Sequence, residues 1–148
     1  MSAQFDHERL DVYQLELRFI EWLTDLFEEL KASKIPRLAE ALDQLDRASL
    51  SALLNTAEGN GKRQRQVRAK FFDDARGSAT ECAGCLDALV AKRACTPERI
   101  GEGKELLLRI VAILTKLIQR FESGNELRED EVEYRVGGST DEASGLAN

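Results

Sequence analysis

The residues best suited to binding chemistry are a cluster of cations at positions 62 to 70. Five of these nine positions hold lysine or arginine, namely Lys62, Arg63, Arg65, Arg68 and Lys70. They fall at the predicted start of a helix, where unpaired backbone N–H groups already carry partial positive charge. Cations weaken a helix there, whereas N–H groups and cations that converge can bind phosphate. The pattern therefore predicts a candidate nucleic-acid-binding surface.

The same basic cluster also has a purely structural interpretation. Its side chains could be solvated, or paired with acids such as Glu58. No aromatic residue is interleaved with the cations, because Phe71 and Phe72 follow them. Since stacking on aromatic rings is how proteins hold single-stranded bases, the sequence favours contacts to phosphates over contacts to bases.

Residues that could hold a metal or act as nucleophiles are few. Cys82 and Cys85 form a Cys-x-x-Cys pair, but a closed zinc site needs four ligands, and only Cys95 and the single histidine, His7, remain. The pair also lies inside a predicted helix, whereas redox pairs of this spacing begin one. Packing of small residues against a neighbouring helix explains it better. We expect no catalytic residue, no metal and no cofactor.

Asn55 and Glu58 are polar and lie close to the basic cluster. Three residues apart, they share one face of a helix. A carboxylate there can accept hydrogen bonds from the next helix or pair with Arg63. Because the only histidine is far away in the sequence, we interpret the two residues as fixing a turn and not as catalytic.

Four predicted helices position these residues. Apolar side chains recur in each with helical spacing, and both prolines, Pro36 and Pro97, stand at helix starts, where a missing N–H costs little. Gly59 falls where a left-handed cap would end the second helix. The predicted helices cover residues 6–32, 36–58, 62–94 and 97–121. Four long helices with short links predict an all-α, antiparallel up-and-down four-helix bundle.

The first predicted helix has more apolar surface than a single core contact requires. One stripe consists of Val12, Leu15, Phe19, Trp22 and Leu26. A second consists of Leu10, Tyr13, Leu17, Ile20 and Phe27. A surface helix needs only one such band. Together with the wide stripe of the fourth helix, this predicts a homo-oligomer, with the first stripe as candidate interface. The alternative is a helix buried deep in a single bundle.

Charge divides the chain into two predicted parts. The net charge is −6, and residues 122–148 hold eight acids and two arginines, so residues 1–121 are neutral overall. We predict a bundle over residues 1–121 and an acidic, Gly/Ser-rich, mostly disordered tail over residues 122–148. Val132, Tyr134 and Val136 alternate with charges in the tail. They could recruit another protein, or the tail could be inert.

Composition predicts a cytoplasmic protein without a membrane segment. No apolar run approaches the length of a membrane span. The N-terminus lacks the apolar core of a secretory signal. Three cysteines, an odd number, fit a reducing compartment better than a disulfide framework.

Three segments carry a resemblance to a known family. They are Asp11-Val12-Tyr13-Gln14, then Arg47-Ala48 followed by Asn55-Thr56-Ala57-Glu58-Gly59-Asn60-Gly61, and Gly77-Ser78-Ala79-Thr80-Glu81. The second is similar to an Asn-Ile-Ala-Glu-Gly-x-Gly signature. Over about residues 8 to 121 the chain resembles the four-helix-bundle proteins encoded by intervening sequences in bacterial 23S rRNA genes. It departs from them at Leu53, often proline there, and at Asn60, usually aromatic.

The resemblance implies a non-enzymatic homo-oligomeric ring, typically a pentamer, in which Asn55, Glu58, Gly59 and Gly61 form the turn motif. Accessory proteins of diversity-generating retroelements, a related branch, bind nucleic acid through basic surfaces. We therefore expect a scaffold or a nucleic-acid-associated binding module that contacts RNA or DNA. A protein-interaction adaptor without nucleic-acid binding is the alternative.

Overall fold

The computed structural model describes residues 3–123, which form helices and no strand. A short 3-10 helix, Asp6–Arg9, precedes four α-helices: α1 Asp11–Leu30, α2 Leu38–Asn60, α3 Arg65–Ala91 and α4 Gly101–Glu122. The predicted all-α, four-helix fold is confirmed. The predicted tail lies outside the described residues, apart from Glu122 and Ser123. Within residues 3–123, no helix combines the length and apolarity needed to cross a membrane.

Each helix packs against two neighbours. α3 lies between α2 and α4, and α1 lies between α4 and α2. Along α3 and α4 the contacting residue numbers run in opposite directions. Arg76 donates a hydrogen bond to Thr115 at 3.1 Å, and Lys104 contacts Asp87 at 2.6 Å. The chain therefore runs in opposite directions along α3 and α4.

Large apolar side chains from all four helices fill the centre of the bundle. Each contributes about 1.5–3 kcal/mol by leaving water, which makes this core the main stabilising element. The most completely buried are Leu23, Leu26, Leu45, Phe72, Leu86, Leu89, Ile110 and Leu114.

The N-terminal helix is interrupted, whereas the sequence predicts one continuous helix over residues 6–32. Leu10 has extended backbone angles, φ −75° and ψ 131°, and separates the 3-10 turn from α1. Its side chain is buried in the core. The break therefore directs an apolar side chain inward at the end of the bundle.

Gly59 does not cap α2, so the predicted left-handed cap is wrong. The helix continues through Asn60, and Gly61 ends it with a right-handed φ of −86°. A Cβ atom on Gly59 would lie 2.8 Å from the Cβ of Phe71. Since real Cβ atoms do not approach so closely, glycine here permits close packing of α2 against α3.

Candidate interaction surfaces

The stripe predicted as an oligomer interface lies inside its own bundle. Val12, Leu15, Phe19, Trp22 and Leu26 are all buried, with Leu26 fully enclosed. Gly103 of α4 leaves the space that the Trp22 ring occupies, because a Cβ there would lie 2.4 Å from the ring. These five side chains cannot also contact a second copy, so their assignment as an interface is corrected. Burial of this stripe is compatible with oligomerisation through other surfaces.

The other stripe of α1 remains partly exposed beside α2. Tyr13, Leu17 and Ile20 are half-buried, and Leu50 and Leu54 of α2 are 50% and 54% exposed. We call these five residues the α1–α2 face. The contact between Glu16 of α1 and Thr56 of α2 sets these segments of the two helices side by side, and the five side chains lie on their solvent-facing side. Large apolar side chains grouped on a surface in this way mark interaction sites.

A buried carboxyl group lies beneath the α1–α2 face. Thr56 Oγ1 donates a hydrogen bond to Glu16 Oε2 at 2.7 Å, while Glu16 Oε1 has no hydrogen-bond partner among residues 3–123. Burial raises the pKa of Glu16 well above its usual range, and the bond from Thr56 offsets part of this. Burial therefore favours the neutral form of Glu16, and its hydrogen bond with Thr56 joins α1 to α2.

The five cations of the basic cluster do not form one surface. Arg65 and Arg68 turn toward α4 and are half-buried. Arg65 Nη2 donates to the carbonyl oxygen of Arg120 at 2.6 Å, and the Arg68 guanidinium lies 4.5 Å from the ring centroid of Phe121. Arg68 also donates to Asn60 Oδ1 at 3.1 Å. These two arginines hold the end of the bundle together.

Two of the remaining three cations lie beside Phe71. The ammonium groups of Lys62 and Lys70 lie 5.2 Å and 5.8 Å from its ring centroid, and Arg63 is exposed nearby in the sequence. Lys70 also pairs with Asp74 at 3.0 Å. Phe71 thus lies among the cations in space, although no aromatic residue is interleaved with them in the sequence. Lys62, Arg63, Lys70 and Phe71 constitute the Phe71 site.

The polar members of the turn motif act separately. Glu58 pairs with Lys62 at 3.6 Å across the end of α2. Asn55 does not reach the turn, because its Nδ2 donates to the carbonyl oxygen of Ser51 at 2.9 Å, one helical turn earlier. Glu58 therefore bridges the link to α3, whereas Asn55 is bonded within α2.

The cysteines are positioned for packing and not for reaction. Burial above all raises the pKa of the Cys82 thiol to about 12, and burial also raises the pKa of Cys85 and Cys95. Thiols held protonated at neutral pH are poor nucleophiles and poor metal ligands. Within residues 3–123, no three His, Cys, Asp or Glu side chains are placed to hold a metal ion.

An open groove of about 590 Å³ runs between the start of α2 and the end of α3. Its lining includes Arg37, Glu40, Gln44, Glu81 and Cys85, and Gln44 donates a hydrogen bond to Glu81. Charges of both signs lie on its walls. Within this lining, the charge of Glu81 adds to the rise in the pKa of Cys85 that burial causes, which disfavours the reactive thiolate.

Sequence reasoning missed Leu50 and Leu54 as interaction residues. Both are apolar positions of the second helix that fall outside its inward stripe, and this departure from periodicity is the signal that could have identified them. On α1, the sequence predicts two apolar stripes but does not show that the second is the exposed one.

Neither a curated protein nor a solved structure matches the chain significantly. A family model matches residues 8–116, which run from the second half of the 3-10 helix through most of α4. This range contains the three motif segments and nearly all of the helical structure. The chain therefore belongs to the family described as 23S rRNA-intervening sequence protein.

Proposed function

We propose that the chain is a non-enzymatic cytoplasmic scaffold that acts as a homo-oligomer, with a ring of five copies as the arrangement suggested by the family resemblance. The single observation that carries this proposal is the α1–α2 face. Its leucines, Leu50 and Leu54, leave about half of their surface in water although the bundle has a complete core without them.

The gain from covering this face is substantial. Removing half of a leucine side chain from water is worth about 1 kcal/mol, and the face has two such leucines and three partly exposed neighbours. Stable interfaces bury roughly 800 Å² on each partner, with an apolar centre and a polar rim. The α1–α2 face supplies an apolar centre of this kind.

Native mass measurement of the wild type and of a Leu50→Asp/Leu54→Asp variant tests the proposal. We expect the wild type to be oligomeric and the variant to be monomeric, because two carboxylates would have to be desolvated in the interface. Arg109→Asp, at an exposed position of α4, is the control and should assemble normally. A wild type that is monomeric at its highest soluble concentration would contradict the proposal.

A second candidate function, contact with nucleic acid, is favoured by the Phe71 site. Two ammonium groups beside an aromatic ring offer phosphate contacts and a stacking surface for single-stranded nucleic acid. Copies of the site around an oligomer would add avidity. Arg65 and Arg68 do not belong to this site, because their guanidinium groups lie over the Phe121 ring.

Titration of a fluorescent single-stranded RNA at several salt concentrations tests this second function. Each phosphate contact contributes about −0.7 to the slope of log affinity against log salt, so Lys62→Ala/Arg63→Ala/Lys70→Ala should reduce the slope by about 2. Lys31→Ala/Lys34→Ala, at the other end of the bundle, should leave it unchanged. Affinity that is absent, or equal in the triple variant, rules the site out.

A further inference from the structure

The end of the bundle where α3 begins carries an excess of positive charge. Residues 62–70 hold five cations and no acid. Each of the other three α-helices has an acid in its first turn, whereas α3 has none. Acids near the start of a helix stabilise it, because they offset the partial positive charge of its unpaired N–H groups. The start of α3 therefore favours an anionic partner that its own first turn does not supply.

The cations of the Phe71 site are accessible to such a partner. Arg63 is exposed. The side chains of Lys62 and Lys70 are 40% and 72% exposed, and each pairs with an acid only four positions away. Ion pairs in such contact with water contribute little to stability, so another anion can replace the local acid.

The end of α4 brings the following segment of the chain to this place. Arg65, the first residue of α3, donates a hydrogen bond to the carbonyl oxygen of Arg120, so the last turn of α4 lies against the start of α3. An open groove of about 520 Å³ lies here, and its lining includes both Lys70 and Glu122. The chain therefore leaves α4 beside a member of the Phe71 site.

The segment that follows is strongly acidic. Residues 124–148 hold seven acids and two arginines, and four of the acids fall within the five positions 129–133. Position 129 is six residues beyond Ser123, and six residues can span about 20 Å. Between Arg65 and Lys70 the helix rises only about 7.5 Å. The acidic run therefore lies within reach of the Phe71 site of the same chain.

The acidic run has the chemistry that the Phe71 site would recognise in nucleic acid. Carboxylates, like phosphates, accept charge-assisted hydrogen bonds from ammonium and guanidinium groups. Tyr134 follows the acids directly and adds an aromatic ring. Single-stranded nucleic acid likewise combines anionic groups with flat rings. One site can thus accept either of the two.

We propose that residues 129–134 occupy the Phe71 site of their own chain and compete there with nucleic acid. This proposal rests on the second candidate function and adds its regulation. A short tether gives the segment an effective concentration on the order of 1 mM, so weak contacts are sufficient for occupancy. A segment that fills the site about nine-tenths of the time lowers the apparent affinity for RNA about tenfold.

The experiment uses full-length chains in which acids are neutralised and not deleted. The tail variant is Glu129→Gln/Asp130→Asn/Glu131→Gln/Glu133→Gln. The matched control neutralises four exposed acids of the bundle outside the Phe71 site and is Glu21→Gln/Asp43→Asn/Glu98→Gln/Glu105→Gln. Both variants change the net charge equally, so a difference between them reports the position of the acids and not the total charge. Circular dichroism should verify that both keep the fold.

Carbodiimide cross-linking without RNA tests the contact itself, since it joins lysine ammonium groups to adjacent carboxylates. We expect peptides that link Lys62 or Lys70 to residues 129–133, and their loss at about 1 M NaCl, where charges are screened. The local link between Lys62 and Glu58 is the internal control. A mixture of light and heavy isotope-labelled chains identifies links within one chain. If only the local link forms, or if the tail links always join two chains, the proposal is overturned.

Titration of single-stranded RNA tests the competition. The tail variant should bind about tenfold more tightly than the wild type and the matched control. In the Lys62→Ala/Arg63→Ala/Lys70→Ala background, the tail substitutions should have no further effect, because the shared site is gone. Equal affinities of the tail variant and the matched control overturn the competition and leave the nucleic-acid function standing. If no variant binds RNA, the second function fails and the competition fails with it.

Discussion

At the scale of single residues, the buried acid Glu16 is the most unusual group in the core. A neutral carboxyl inside an apolar bundle stabilises less than an apolar side chain of the same volume would. Its bond to Thr56 links one position of α1 to one position of α2. Polar pairs of this kind can fix the register between helices, since any slip leaves both partners unpaired.

Glu16 makes the stability of the fold depend on pH. In the unfolded chain the carboxyl ionises near 4.5, and in the folded chain its pKa is well above that value. Between these two values the folded state binds more protons, so the free energy of unfolding falls as pH rises, by up to about 1.4 kcal/mol per pH unit. Glu16→Gln should remove this dependence, and its advantage in urea midpoint over the wild type should be larger at about pH 8 than at about pH 5.

The control for that measurement is Glu21→Gln, an exposed position on the same helix. It should follow the wild-type pH profile. If Glu16→Gln keeps the wild-type pH dependence, Glu16 is not buried as a neutral acid in solution.

At the scale of helices, the sequence predicts well which helices exist and in which order they follow, but it predicts their boundaries less well. Hydrophobic periodicity and the two prolines suffice to predict four helices. The end of α2 is misplaced because Gly59 is interpreted by a local rule for caps, whereas its role is set by Phe71 on another helix. Contacts that are distant in sequence decide such cases.

The same limit applies to the candidate sites. Which stripe of α1 faces inward depends on Gly103, which makes room for Trp22 from the other end of the chain. Likewise, Arg65 and Arg68 are oriented by Phe121, more than 50 positions away. The sequence identified the cations and the doubled stripe, but it had no local signal for the direction in which these side chains point.

Two helix ends have a left-handed residue that is not glycine, Arg37 before α2 and Arg93 after α3. Arg93, with φ 65°, follows α3, and the next N–H, of Ala94, donates to the Leu89 carbonyl oxygen at 2.9 Å. This is a Schellman motif, in which glycine is preferred at the left-handed position. Arg93→Gly should therefore raise the free energy of unfolding by about 0.5–1 kcal/mol.

Chemical denaturation measures this effect, and the adjacent residue gives a matched control. Lys92 has a right-handed φ of −78°. Lys92→Gly should lower stability, because glycine there gains nothing in the folded state and loses more entropy on folding. Equal effects of the two substitutions would show that the left-handed strain at Arg93 is not significant.

At the scale of the whole molecule, the bundle has two kinds of surface with opposite responses to salt. The α1–α2 face is apolar, and its burial is not weakened by screening. The Phe71 site is cationic, and any contact it makes with phosphates weakens as salt rises. Assembly and nucleic-acid binding can therefore be separated by ionic strength alone.

Assembly through the α1–α2 face should make thermal stability depend on protein concentration, and this dependence should persist at high salt. Because oligomerisation stabilises the folded state by mass action, each tenfold rise in concentration adds about 1.4 kcal/mol for each interface formed, which raises the Tm by a few degrees. Differential scanning calorimetry over two decades of concentration, at about 0.1 M and about 1 M NaCl, measures both effects. The Leu50→Asp/Leu54→Asp variant should have a Tm that does not change with concentration. If the wild-type Tm rises with concentration only at low salt, the interface is formed by charges and the α1–α2 face does not hold the assembly together.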